Sequence, residues 1–81
     1  MKNISFEENM DLRVFLLAIY KRQDNESIQY IIEMMINAGL FDMKNGKKSL
    51  KDLKKLNYVL DDGLTMLGIQ KAKEVELEFK I

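Results

Sequence analysis

The chain has no cysteine, no histidine and no proline. Without cysteine there are no disulfides, no thiolate metal sites and no cysteine nucleophile. Without histidine there is no imidazole ligand and no histidine base. The available nucleophiles are Ser5, Ser27, Ser49, Thr65 and lysines, and no histidine activates any of them. The four glycines, Gly39, Gly46, Gly63 and Gly68, form no phosphate-loop spacing. Asp61 and Asp62 are neighbours and read as turn formers rather than an acid–base pair, which would need two different environments. A calcium loop starting at either aspartate would need an acid at its twelfth position, where Ala72 and Lys73 stand. A non-enzymatic protein without metal or cofactor is therefore expected.

Long apolar runs are also missing. The longest stretch at the start, Val14 to Tyr20, follows Glu7, Glu8 and Asp11. It lacks the basic start and the length of a signal peptide, and it is far short of the 20 or so residues of a membrane span. The default expectation is a cytoplasmic protein with no membrane partner.

What is present is a chain of 81 residues, 47% hydrophobic and 32% charged. That is globular composition with room for one core, so a single domain over residues 1–81 is expected. A domain of this size buries roughly 60–65% of its unfolded surface and is marginal alone. The net charge is zero, but its distribution is uneven. Residues 1–43 hold four basic and seven acidic groups, and residues 57–81 hold three lysines and five acids. Between them, residues 44–56 hold Lys44, Lys47, Lys48, Lys51, Lys54 and Lys55 against Asp52 alone. Such asymmetry is the footprint of an anionic partner, and it also occurs on salt-bridged surfaces.

With no proline, glycine, asparagine and aspartate mark the element ends. The first helix is expected from Phe6 to Arg22, capped by Ser5 with Glu8 three residues on. The second is expected from Glu26 to Ala38, capped by Asp24 or Asn25 and closed by Gly39 in the left-handed conformation. Asn45-Gly46 reads as a turn. Ser49 then caps a short helix, Leu50 to Asn57, with Leu50, Leu53 and Leu56 inward and the lysines outward. Tyr58-Val59-Leu60 and Leu64-Thr65 read as two short strands around Asp61-Asp62-Gly63.

The tail fits two periods. Val75, Leu77, Phe79 and Ile81 alternate with Glu74, Glu76, Glu78 and Lys80, as in a strand. Ile69, Ala72, Val75 and Phe79 also form a helical stripe, in a composition of strong helix formers. The fold expected is mainly α, with three to four helices and a small β-hairpin. Its expected core is Leu16, Ile19, Ile28, Ile31, Ile32, Met35, Leu40, Leu50, Leu53, Leu56, Val59 and Ile69.

The lysine segment is the strongest functional signal. Lys51, Lys54 and Lys55 share one helical face, with Lys47 a turn earlier and Lys44 and Lys48 beside it. Together they would track a phosphate backbone through ammonium groups rather than read bases, since the segment has no arginine. The competing reading is a solvated face salt-bridged to the acidic remainder. The methionines, Met34 and Met35 among them, fill a core or form an adaptable binding surface.

Residues 26–76 resemble a small winged-helix module of bacterial and phage regulators. Ile36-Asn37-Ala38-Gly39-Leu40-Phe41 is similar to the helix end that precedes a hairpin wing in that family. Leu64-Thr65-Met66-Leu67-Gly68-Ile69-Gln70-Lys71-Ala72 is similar to its return strand and last helix. In a second register, Leu50 to Asn57 is the recognition helix and Tyr58 to Thr65 a minimal wing with Asp61-Asp62-Gly63 at its tip. The resemblance implies a winged-helix-like fold and a transcription regulator, of phage or mobile-element type, that binds double-stranded DNA. A protein-interaction module, an adaptor or a small inhibitor docking on a protein partner, is the alternative. Leu12, Phe15, Tyr20, Tyr30, Met34 and Ile36 exceed what one buried stripe absorbs, so a homodimer through the first two helices is expected. In the competing outcome the tail covers those residues in a monomer.

Overall fold

The computed structural model describes residues 6–79. The cap expected at Ser5, and Lys80 and Ile81 of the tail, lie outside the described residues. The elements run as a 3-10 turn, Phe6–Glu8, then α1 (Met10–Lys21), α2 (Ile28–Asn37), α3 (Met43–Lys55), β1 (Val59–Leu60), β2 (Gly63–Leu64) and α4 (Met66–Phe79). The chain is mainly helical with one two-stranded antiparallel hairpin, in which Val59 pairs with Leu64 and Leu60 with Gly63. This order is compatible with a winged-helix-like arrangement.

Side chains at the element ends explain where the helices start and stop. α1 begins after Asn9, whose Oδ1 accepts the Leu12 amide at 3.1 Å. It does not extend back to Phe6, because Phe6 turns inward, is 4% exposed and meets the Tyr58 ring edge-on at 5.3 Å. α2 is capped by Ser27, whose Oγ accepts the Tyr30 amide at 3.1 Å, and not by Asp24 or Asn25. It ends as its glycine predicts. Gly39 has φ +83°, its amide donates to Ile36, and the Leu40 amide donates to Met35.

The turn expected at Asn45-Gly46 is absent. Asp42 Oδ1 accepts the Asn45 amide at 2.8 Å, so α3 starts at Met43 and runs unbroken through both residues. Gly46 is buried in it. A Cβ there would stand 2.8 Å from Phe41 and 3.0 Å from Ile32, so the glycine is used for close packing. Ser49 is accordingly a helical residue and not a cap. α3 ends on Asn57 at φ 65°, with the Asn57 amide bonded to Lys54 and the Tyr58 amide to Leu53.

The tail is helical. Ala72 and Val75 are covered, whereas Leu77, which the alternation would bury with Val75, is exposed, so the 3.6-residue period prevails; Phe79, expected on the helical stripe, is exposed at its end. α4 packs most extensively on α1. Ion pairs Arg13–Glu78 and Lys21–Glu76 flank that contact. The Glu76 hydrogen bond and charge raise the Lys21 pKa. Burial works against charge on Lys71, but the Glu74 hydrogen bond and the charges of Tyr58, Glu7 and Glu74 leave its pKa raised.

The core gathers α1 (Leu12, Phe15, Leu16, Ile19), α2 (Ile28, Ile31, Ile32), Leu53, Val59, Ala72 and Val75, with Phe6, Phe41 and Tyr58 closing its ends. Of the residues expected there, Met35, Leu40, Leu50 and Leu56 are half-buried against it. Ile69 is 37% exposed, because Gly68, Ala72 and Val75 form the inward stripe of α4. The expected self-association face is not one surface. Leu12 and Phe15 are fully buried, Tyr20 and Ile36 are half-buried, and Tyr30 and Met34 alone are exposed. Leu12 and Phe15 lie in the core, Phe15 edge-on against Phe41 at 5.6 Å, and are unavailable to a second copy.

The hairpin and α4 are joined by a tight contact. Thr65 caps α4, its Oγ1 accepting the Gly68 amide at 2.9 Å while its hydroxyl donates to the Asn57 carbonyl. Gly68 then lies against the Tyr58 backbone, where a Cβ would stand 2.0 Å from the Tyr58 oxygen. A helical Gly→Ala change ordinarily stabilises by about 1 kcal/mol. Here the sign reverses: Gly68→Ala is expected to destabilise by about 1–3 kcal/mol, as overpacking does, read from the midpoint of urea unfolding.

Candidate nucleic-acid interface

α3 places the lysines because its two faces differ in kind. Gly46, Ser49 and Leu53 are buried, and Leu50 and Leu56 are half-buried. Lys44, Lys47, Lys48, Lys51, Lys54 and Lys55 are all exposed. At 3.6 residues per turn, the six fall within an arc of about 120° opposite the packed face. Lys47 and Lys54 form one edge of this arc, Lys48 and Lys55 the other, and Lys44 and Lys51 the middle. The stripe from Lys44 to Lys55 is about 16 Å long.

Asp52 is the one acid of α3, and it is nearly buried at the margin of the lysine arc. Its carboxylate accepts from Lys48 at 3.0 Å. Lys44, Lys47, Lys51, Lys54 and Lys55 form no ion pair among the described residues. Elsewhere, Arg13, Lys21, Arg22 and Lys71 each face an acid. The uneven charge in the sequence is thus an uneven surface: the ion pairs of the flanks join acids to Arg13, Lys21, Arg22 and Lys71, and five of the six α3 lysines stay out of any among the described residues. A face salt-bridged to the acidic remainder is not what forms.

The hairpin borders this face at one corner. Lys54, Asn57, Leu60, Asp61 and Thr65 line a shallow depression of about 300 Å³. Asp61, at φ 54°, is exposed there. Asp62 has a different role. Its Oδ1 accepts the Ile28 amide, the first of α2, at 2.9 Å. Its carbonyl accepts from Arg22 Nη2, and Arg22 Nη1 lies 3.6 Å from Oδ2. Sequence reading missed this junction, giving Arg22 only as the last residue of the first helix and Asp62 as a turn former. The partners lie 34 and 40 residues apart, and no local pattern signals such a pairing.

In chemical terms the face offers ammonium donors and nothing else. Neither arginine lies on it, Arg13 and Arg22 both being held by acids. The aromatics nearest in sequence, Phe41 and Tyr58, are both buried. No protein-family model, curated protein or solved structure matches the chain. Since the exposed lysines support no fold contact, Lys51→Gln/Lys55→Gln is expected to stay within about 0.5 kcal/mol of the parent in urea unfolding. A larger loss would show that the face contributes to folding.

Proposed function

We propose that the chain is a small, non-enzymatic nucleic-acid-binding regulator that lays α3 against a phosphate backbone. The observation that carries this reading is the set of five lysines without acidic partners, aligned with Lys48 on one helical face. Five uncompensated ammonium groups within about 16 Å repel one another, and phosphates spaced along a nucleic acid neutralise them while releasing counterions. Ammonium groups on flexible stems position a backbone without imposing sequence. The fold class and the element order α1–α2–α3–hairpin–α4 support the same reading, with α3 as the contacting helix.

Titration of a duplex across salt tests it. Neutralising about four phosphates gives a slope of roughly −3.6 for log K against log salt. Lys51→Glu/Lys54→Glu/Lys55→Glu is expected to abolish binding at low salt. Absence of binding by the parent chain at low salt, or indifference to the triple change, removes the proposal.

A second reading has its own observation. Leu60, Met66 and Leu77 are each more than two-thirds exposed on the hairpin and α4. Large apolar side chains left in water suit a protein-interaction module. A pull-down from nuclease-treated lysate separates the two: partners lost with nuclease favour nucleic acid, and partners that persist favour protein docking.

A further inference from the structure

In the second register of the sequence reading, Asp61-Asp62-Gly63 is the tip of a minimal wing. Here it is tied down at three points. Asp62 Oδ1 takes the first amide of α2, the Asp62 carbonyl takes Arg22 Nη2, and the Asp62 carboxylate faces Arg22 Nη1. The partners belong to the corner between α1 and α2, so the tip closes back on the body. The carboxylate also lies at the positive end of α2, where it is stabilised. The Arg22 side chain is largely buried and that of Asp62 largely exposed, so the junction rests on its hydrogen bonds more than on the ion pair, which solvent and salt screen. From the other end the hairpin is continuous with α3, whose last carbonyls hold the Asn57 and Tyr58 amides.

We infer that the hairpin is a strut rather than a second contact with the nucleic acid, and that Asp62 is a positioning residue which fixes α3 against the α1–α2 corner. This rests on the reading of α3 as the nucleic-acid face. Three observations carry it together. The tip's functional groups are consumed within the protein. The remaining tip carboxylate, Asp61, carries the charge that phosphate repels, beside Lys54. And the hairpin has no basic residue between Val59 and Leu64 with which to hold a phosphate.

The two roles predict opposite signs. If the tip touched nucleic acid, removing a carboxylate there would relieve repulsion and tighten binding. For a strut, Asp62→Ala frees the hairpin, so binding weakens several-fold while the salt slope stays unchanged, because every lysine is still present. Asp62→Asn keeps an acceptor for the Ile28 amide and is expected to restore most of the affinity. Tighter binding by either variant overturns the inference. So does unchanged binding by a destabilised Asp62→Ala, which would make the residue structural only. Should Asp62→Ala fail to fold, Asp62→Asn decides alone: affinity at or below the parent supports the strut, and higher affinity overturns it.

Amide chemical-shift mapping on the full chain, with a random-sequence DNA duplex as the probe, gives the second measurement. Shifts are expected along Lys44–Lys55 and not at Asp61–Gly63. Shifts of equal size at the tip overturn the strut and leave nucleic-acid binding standing. Absence of shifts anywhere in the chain overturns the nucleic-acid reading itself, and the strut with it.

Discussion

The fold depends on one close approach, that of Gly68 to the backbone of Tyr58. The space there admits no side chain at all. It lets α4 leave the hairpin directly and lie down along α1. Thr65 fixes the angle, accepting the Gly68 amide while donating to the end of α3. From that angle follow the burial of Ala72 and Val75 and the two ion pairs that flank α1 and α4. A core built of short helices has few such fixed points. Here the end of α3, the hairpin and the start of α4 share a single one.

The pattern Leu-Thr-x-x-Gly thereby acquires a physical meaning independent of any family. Threonine is the cap whose oxygen reaches the amide three residues on, and that residue is the glycine the packing requires. The match is local and was readable. The same holds for the hairpin, for the Gly39 helix stop and for seven of the expected core residues, Leu16, Ile19, Ile28, Ile31, Ile32, Leu53 and Val59.

What misled was equally physical. Asn45-Gly46 has the chemistry of a turn, yet Asp42 caps a helix across it and Phe41 fills the space beside the missing Cβ. Tertiary packing overrode a local preference. The surplus apolar width of α1 pointed to a second copy, because the tail had no settled period. In the structure Leu12 and Phe15 are buried within the chain, Phe15 edge-on against Phe41. The lysine face was legible in part: helical spacing places Lys51, Lys54 and Lys55 together, whereas Lys44, Lys47 and Lys48 join them only because α3 starts at Met43 and runs through the expected turn. The lack of acidic partners was not legible, because ion pairing depends on which helices meet. The Asp62 junction was illegible for the same reason: it joins a hairpin tip to a corner formed some 34–40 residues earlier.

α3 has an energetic character of its own. Lysines spaced three and four apart disfavour an isolated helix by a few tenths of a kcal/mol per pair, and a glycine in its interior adds about 1 kcal/mol. This helix is held by what it packs on rather than by its own residues. Any polyanion that settles along it would remove a repulsion already present in the folded chain. On the proposed function, folding and anion binding would be linked: a polyanion along α3 would relieve this repulsion, and that part of its affinity would be stability the free protein forgoes.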